Sequence, residues 1–433
     1  MTEVLAEPAE QEDFTACVHR ACAGVHAWDS LPQFLESLPG LPDGVHTIGM
    51  ADGPHLDVLL LGSPLSDGHG AVPVFFSASV RSRDQKHPPF FSGISVVGRI
   101  RAPLIAISDP STQLSESLGL AWYAGGGGTD VQDAVHRLLS AVTATSGNHL
   151  WLVGGSGGGF AALEAGFALG ESASVLVFNP QTNLLEFSTG SVKRYLGIAH
   201  GMSGEMLDRP DWKQRAGQRL TDAGLRWDLC DRGPERLPRQ LIYLQNWNDW
   251  DHVDRHMAPF IRTHLSHQGP GTDSWSDDDH GVVQLDLGQG HAAPRPEAVQ
   301  LLLRTALTGG HSAREILEWG VATGALRRVE HPGAARDLRP MREEVLRSVK
   351  LALSAQNEVL PSVTGLPTDL GNMRLRLFSA NVTPTGPGTL HDLTAPVRLP
   401  DGLDPADCRA ILLDGFGHEL GVLELETRQD PST

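Results

Sequence analysis

The sequence predicts an α/β protein built on a mostly parallel central sheet with helices on both faces. Between about residues 56 and 291, short apolar or β-branched runs recur, separated by segments long enough for crossover helices. Several runs are apolar throughout, as strands buried on both faces must be. A length of 433 residues allows two or three domains, or one large domain with attachments.

Residues 1–45 read as a weakly helical lead-in. Strands are expected at 56–62 (LDVLLLG), 71–79 (AVPVFFSAS), 102–110 (APLIAISDP), 149–156 (HLWLVGGS), 173–181 (ASVLVFNPQ), 239–246 (RQLIYLQN) and 281–291 (GVVQLDLGQGH). Helices are expected at 129–142, where Thr129 or Asp130 offers an N-cap ahead of apolar residues at helical spacing, and at 158–170, which ends on a glycine. The stretch 182–238 is longer than a crossover requires and rich in charge, so it is expected to form a helical cap over a site. Past residue 310 the pattern changes to two helical segments, then Pro- and Gly-punctuated strand-like pieces with a hairpin in AILLDGFGHELGVLELE. The division is therefore a lead-in at 1–45, an α/β domain at 46–310 with its cap at 182–238, and a helical and hairpin appendage at 311–433.

With 52 acidic against 34 basic side chains, the net charge is −18, a field that repels phosphate backbones and anionic lipid. Neither nucleic acid nor a membrane is expected as a partner. Lysine occurs only at 86, 193, 213 and 350, so the basic residues are almost all arginine. Cys17, Cys22, Cys230 and Cys408 lack metal-ligand spacing and are too few to staple a chain of this size. Reduced thiols and a cytoplasmic location are expected. The acidic start, MTEVLAEPAEQEDF, lacks the basic and apolar segments of a signal peptide, and no window approaches a membrane span.

The strongest chemical signal is HLWLVGGSGGGFAALEAG, where Gly154, Gly155, Ser156, Gly157 and Gly158 spell G-x-S-x-G between an apolar strand and a helix. A serine at a sharp strand-to-helix turn is lifted off the sheet with its hydroxyl exposed, and small neighbours at Gly154 and Gly158 make the turn sterically feasible. The helix N-terminus adds backbone N–H groups and a positive dipole end suited to an oxyanion. Ser156 is the expected nucleophile, and the competing reading is a Gly-rich turn with an incidental serine.

In this arrangement the chain resembles the α/β-hydrolase superfamily, whose nucleophile elbow follows the fifth strand. The likeness spans roughly 56–305. It implies an acid and then a histidine downstream, because a hydroxyl is a poor nucleophile until an oriented imidazole takes its proton. His291, in the G-x-G-H loop after the last predicted strand and shortly before Pro294, matches the base. Asp249, nearest the end of RQLIYLQN, matches the acid, with Asp251 as the alternative and Asp254 also near. The oxyanion donors implied are the N–H of Gly157 and one from the loop after AVPVFFSAS, at Ser79 or Ala78. No HGGG-type sequence marks that loop, which argues against the lipases that carry one. GxxxGFAAL and VFNPQT also resemble bacterial hydrolase-like proteins of surface-polysaccharide or glycoprotein export loci.

Other readings compete. Gly157, Gly159 and Ala162 match G-x-G-x-x-A of dinucleotide sites, yet no acid for a ribose stands about 20 residues further on, and no lysine completes a P-loop. His252, His256, His264 and His267 share one helical side, which permits a metal, but H-E-x-x-H is missing and an amphipathic helix explains them more simply. Neither a cofactor nor a metal is expected. GGGG at 125–128 reads as a flexible loop, Trp247 and Trp250 flank the acid as pocket or packing residues, and Arg295 is a solvated or anion-facing residue.

The expected function is a serine hydrolase that cleaves an ester or related acyl bond of a small molecule or glycan. Two alternatives remain: an acyltransferase to a sugar or other hydroxyl, and a non-catalytic hydrolase-like binder that uses 311–433 to hold a protein partner.

Overall fold

The computed structural model describes residues 24–426 except 51–52, 81, 127, 232–235, 248, 266–272, 289, 330–337, 355, 366–372, 380–388, 400–402 and 414–418. Ten strands form the main sheet: β1 Val25–Trp28, β2 Gly44–Ile48, β3 Leu56–Leu61, β4 Ala71–Phe76, β5 Leu104–Ile107, β6 His149–Gly155, β7 Ala173–Phe178, β8 Leu241–Asn246, β9 Asp273–Trp275 and β10 His280–Leu285. Their order across the sheet is β1-β2-β3-β5-β4-β6-β7-β8-β10-β9. From β5 to β10 all neighbours are parallel, whereas β3 runs antiparallel to both β2 and β5, and β9 is an antiparallel edge on β10.

The all-apolar runs are strands because each face has its own helices to cover it. Val58, Leu60, Val74, Phe76, Leu150 and Leu152 point to one side, into a core shared with α3 (Val131–Ser146) and α4 (Ser156–Leu169). Leu59, Leu61, Phe75, Trp151 and Val153 alternate with them to the other side, against α2 (Ile94–Ile100), α9 (Pro296–Thr308) and α10 (Ala313–Ala322). Each fully buried Leu, Val or Phe contributes about 1.5–3 kcal/mol. Asp130 caps α3 by accepting from the Asp133 N–H at 2.8 Å, and Gly147 ends the helix at φ 67°.

The insertion between β7 and β8 is helical, as expected of the cap, with α5 Thr189–His200, α6 Gly204–Leu207 and α7 Trp212–Asp222. After β8 a helix over 250–264, here α8, contains a π-helical stretch at Val253–Met257.

Two expectations need correction. The lead-in is only partly helical where it is described: β1 and β2 extend the sheet around the short α1 (Leu31–Glu36), because β2 gains a ladder on β3 and β1 pairs with β2. Residues 1–23 lie outside the described residues. The α/β unit also continues past 310, since Ile316 and Leu317 of α10 are buried in the same core as α9, and Leu285 pairs with Arg328.

Beyond it, α11 (Leu338–Ser348) precedes a seven-stranded sheet of β11 Val349–Leu353, β12 Glu358–Val363, β13 Arg374–Ser379, β14 His391–Asp392, β15 Val397–Arg398, β16 Cys408–Leu413 and β17 Glu419–Glu426. The predicted hairpin is the antiparallel β16–β17 pair.

With the edge strands β1 and β9 set aside, β6 is the fifth strand of the sheet, and a serine at positive φ follows it. The architecture is the α/β-hydrolase fold. No described helix is long and apolar enough to cross a membrane.

Candidate active site

β6, β7, β8 and β10 are parallel neighbours, so whatever follows each of them leaves the same edge of the sheet. Ser156, Gln181, Asp249 and His291 follow these four strands in turn.

Gly155 is still extended (φ −118°, ψ 152°), while Ser156 sits at φ 52° and opens α4. A non-glycine residue at positive φ costs on the order of 1–3 kcal/mol and persists only where its surroundings enforce it. Here they do. A Cβ at Gly154 would lie 2.2 Å from the Gly158 carbonyl oxygen, and one at Gly158 would lie 2.5 Å from that of Phe76. The elbow can be this tight only because those side chains are missing. Ser156 itself is partly exposed.

Asp249 is 1% exposed and accepts from two imidazoles. Nδ1 of His291 donates to Oδ2 at 2.6 Å, and Nδ1 of His252 donates to Oδ1 at 3.1 Å. Burial by itself would raise this carboxyl, but the charges and hydrogen bonds of His252 and His291 outweigh it and hold Asp249 well below the ordinary carboxylate range. Asp251, the alternative acid, points elsewhere: its Oδ1 lies 3.0 Å from Nε of Arg255, whose Nη1 donates to the Glu186 carbonyl of the cap at 3.2 Å. Asp254 is partly buried.

Four site residues were given no role in the sequence reading, although VFNPQT contains two of them, Asn179 and Gln181. Gln181 donates from Nε2 to Ser156 Oγ at 2.9 Å and lies 3.4 Å from Nε2 of His252, while its Oε1 accepts from the Trp122 indole N–H. Trp122 in turn meets Phe187 and Tyr195 of the cap edge-to-face, at 6.0 and 5.5 Å. Asn246, at the end of β8, holds the loop that bears His291: its amide donates to the carbonyls of Gly288 and Gly290, and its Oδ1 accepts from the Leu287 N–H. Asn179 donates to the Ala292 carbonyl at 2.7 Å and accepts from the Asn246 N–H at 2.6 Å. All of them stand at strand ends or in the loop after β5. The available hints were the VFNPQT run and a polar residue soon after an apolar run.

Gly157 lies at the start of α4, where backbone N–H groups have no intrahelical partner. The loop after β4 begins beside it, since the Ser77 carbonyl is 2.8 Å from a Cβ placed on Gly158. The Ser77 N–H is engaged by the Tyr123 hydroxyl at 2.7 Å, so the next amides along the loop are those of Ala78 and Ser79, both exposed residues.

The histidines of α8 do not converge. The His256 ring accepts from the Thr182 N–H, the His264 ring contacts the Leu229 carbonyl at 2.7 Å, and His267 lies outside the described residues. Asp249, His252 and His291 do bring ligand atoms within 4.8 Å of one another, the one such group among the described residues. An ion there would have to displace the two imidazole–carboxylate hydrogen bonds. Gly159, part of the dinucleotide pattern, packs against Pro180, and a Cβ on it would lie 2.6 Å from the proline ring. Gly126, in the run expected to be flexible, approaches Ala199 just as closely. Trp247 is partly buried and pairs its N–H with the Leu285 carbonyl, and the side chain of Trp250 lies outside the described residues. Arg295 is exposed and lines a surface cavity of about 310 Å³ with Asp286, Leu287 and Pro294.

No protein-family model and no curated protein sequence matches the chain. Solved structures do. A capsule O-acetyltransferase of Neisseria meningitidis serogroup A is similar over 62% of this chain and 97% of its own, at 14% identity and a TM-score of 0.41. Prolyl oligopeptidase B from Galerina marginata is similar over 66% of this chain and 37% of its own, at 15% identity and a TM-score of 0.40. Mouse alpha/beta hydrolase domain-containing protein 10 is similar over 61% of this chain and 97% of its own, at 13% identity and a TM-score of 0.34.

Proposed function

We propose that this chain, an enzyme of the α/β-hydrolase class, is a serine hydrolase acting on esters or related acyl compounds of small molecules or glycans. One observation carries the reading: a serine held at φ 52° on a strand-to-helix elbow, on the sheet edge where Asp249 orients His291 at 2.6 Å. Ser156 Oγ attacks the acyl carbon as its proton passes to Nε2 of His291. Asp249 keeps the proton of that ring on Nδ1, and so presents Nε2 as the base. The carbonyl π pair moves onto oxygen, facing the Gly157 N–H and that of Ser79 or Ala78. Collapse expels the leaving group with the proton from His291, and water repeats the sequence on the acyl-enzyme.

A hydroxyl acceptor in place of water would make the same acyl-enzyme an acyltransferase. Scattered thiols, with Cys230 and Cys408 free, accord with a cytoplasmic setting. A protein partner for 311–433 belongs to the same proposal.

The test is labelling with a fluorophosphonate. Wild type should label and Ser156→Ala should not; labelling that survives in the variant removes Ser156 from the chemistry. Hydrolysis of short p-nitrophenyl esters should fall to background in His291→Ala. Added sugar alcohols that divert acyl groups from water would identify transfer. Probe-negative wild type that co-purifies with another chain would make the protein a binder.

A further inference from the structure

Asp249 reaches Ser156 by a route that does not involve His291. It runs from Oδ1 to His252 Nδ1 at 3.1 Å, from His252 Nε2 to Gln181 Nε2 at 3.4 Å, and from the same amide nitrogen to Ser156 Oγ at 2.9 Å. His252 and Gln181 are both wholly buried.

The proton positions follow from donor and acceptor chemistry. An amide nitrogen only donates, so Nε2 of His252 must accept from it, which puts the ring proton on Nδ1, facing a carboxylate that only accepts. Gln181 cannot be flipped, because its Oε1 is fixed by the Trp122 indole N–H, itself a donor only. Both amide hydrogens therefore have addresses, one on His252 and one on Ser156 Oγ.

On these grounds we infer that Gln181 is a further catalytic residue, a side-chain donor aimed at the reacting oxygen of Ser156, with His252 and Trp122 as its positioning residues. The inference rests on the proposed role of Ser156. As the hydroxyl proton leaves for His291 and the bond from Oγ to the acyl carbon forms, negative charge passes through Oγ. A buried N–H at 2.9 Å stabilises that charge far more than it does the neutral hydroxyl. No atom is exchanged with Gln181. Its amide carries no charge, so it can serve the alkoxide without competing with His291 for the proton.

The experiment compares second-order rates of fluorophosphonate labelling in wild type, Gln181→Met, Gln181→Glu and His252→Phe, with thermal melts alongside. Gln181→Met keeps the volume and loses the donor, so labelling should slow roughly 10- to 100-fold with the melt little changed. Gln181→Glu sets a carboxylate against Oγ and should be slower still at neutral pH. Labelling of Gln181→Met at the wild-type rate overturns the inference while leaving the serine mechanism intact. Wild type that does not label overturns both, since a donor to an inert serine activates nothing. If Gln181→Met proves unstable, NMR of 15N-labelled imidazoles in wild type decides: proton on Nδ1 of His252 is required, and proton on Nε2 overturns the assignment.

Discussion

The rings of His252 and His291 stack 4.2 Å apart, 26° from parallel, and divide between them the two oxygens of Asp249. The two imidazoles are not equivalent. His252 is wholly buried on α8 and turned toward Gln181, whereas His291 is partly exposed on a loop. In the proposed mechanism the base is the accessible ring. His291→Ala should abolish ester hydrolysis, while His252→Phe, which keeps the stack, should retain measurable turnover. A greater loss in His252→Phe would exchange the two roles.

Asp249→Asn replaces an acceptor of two N–H groups by a side chain with one acceptor. One imidazole must lose its partner or change tautomer. A decrease in kcat of roughly 10⁴-fold is expected, the size seen when the orienting acid of a Ser-His-Asp triad becomes an amide. Steady-state kinetics on p-nitrophenyl acetate would check it.

Asn246→Ala removes the clamp on Leu287, Gly288 and Gly290. Loss of these hydrogen bonds from a partly buried loop should cost about 1–3 kcal/mol, read by urea unfolding. Because the loop carries His291, kcat should fall by about tenfold or more with little change in KM. Equal losses in KM and kcat would show that the loop binds rather than positions.

Gly158→Ala drives a Cβ to 2.5 Å from the Phe76 carbonyl, a backbone atom that cannot yield without moving β4. Destabilisation of about 3 kcal/mol or failure to fold is expected. Gly190, near the start of α5, has nothing within 4 Å of a Cβ, and Gly190→Ala should instead stabilise by about 0.4–1 kcal/mol. Thermal melts of the pair compare crowded with open glycine.

Asp109 and Asp249 should titrate with opposite signs. Burial pushes Asp109 up to about 6, against the hydrogen bonds from the Tyr123 and Ser111 N–H groups. The folded chain thus holds this proton between about pH 6 and 4 where the unfolded chain releases it, and the contribution of Asp109 to stability grows as pH falls through that window. Asp249, depressed by its imidazoles despite burial, contributes stability that is complete above about pH 4 and is lost as pH falls through its lower folded pKa. Carboxyl carbon NMR should find Asp109 near 6, and the acid limb of unfolding should flatten in Asp249→Asn.

Much of this protein was legible in the sequence because the physics involved is local. Apolar runs such as LDVLLLG and HLWLVGG can be satisfied only between two helical layers, and the glycines around Ser156 are dictated by atoms within a few residues and by the adjacent strand end. His291 and Asp249 were legible because a strand end is readable and each follows one. Where β1 and β2 would find partners was not, because GVHTI becomes a strand only through its ladder on β3, and VHAW only through its ladder on GVHTI. Asn246 and Trp122 were equally silent, and Gln181 and His252 were noticed without these roles. Each is an ordinary polar or aromatic residue whose meaning arises when parallel β6, β7, β8 and β10 deliver it to one edge of the sheet. Chain order singled out the candidate nucleophile, base and acid. Folding alone decided that the carboxylate beside His252 would also hold His291 and that an amide would reach the serine oxygen, because hydrogen bonds between residues 25 to 71 positions apart are set by strand register and not by sequence spacing.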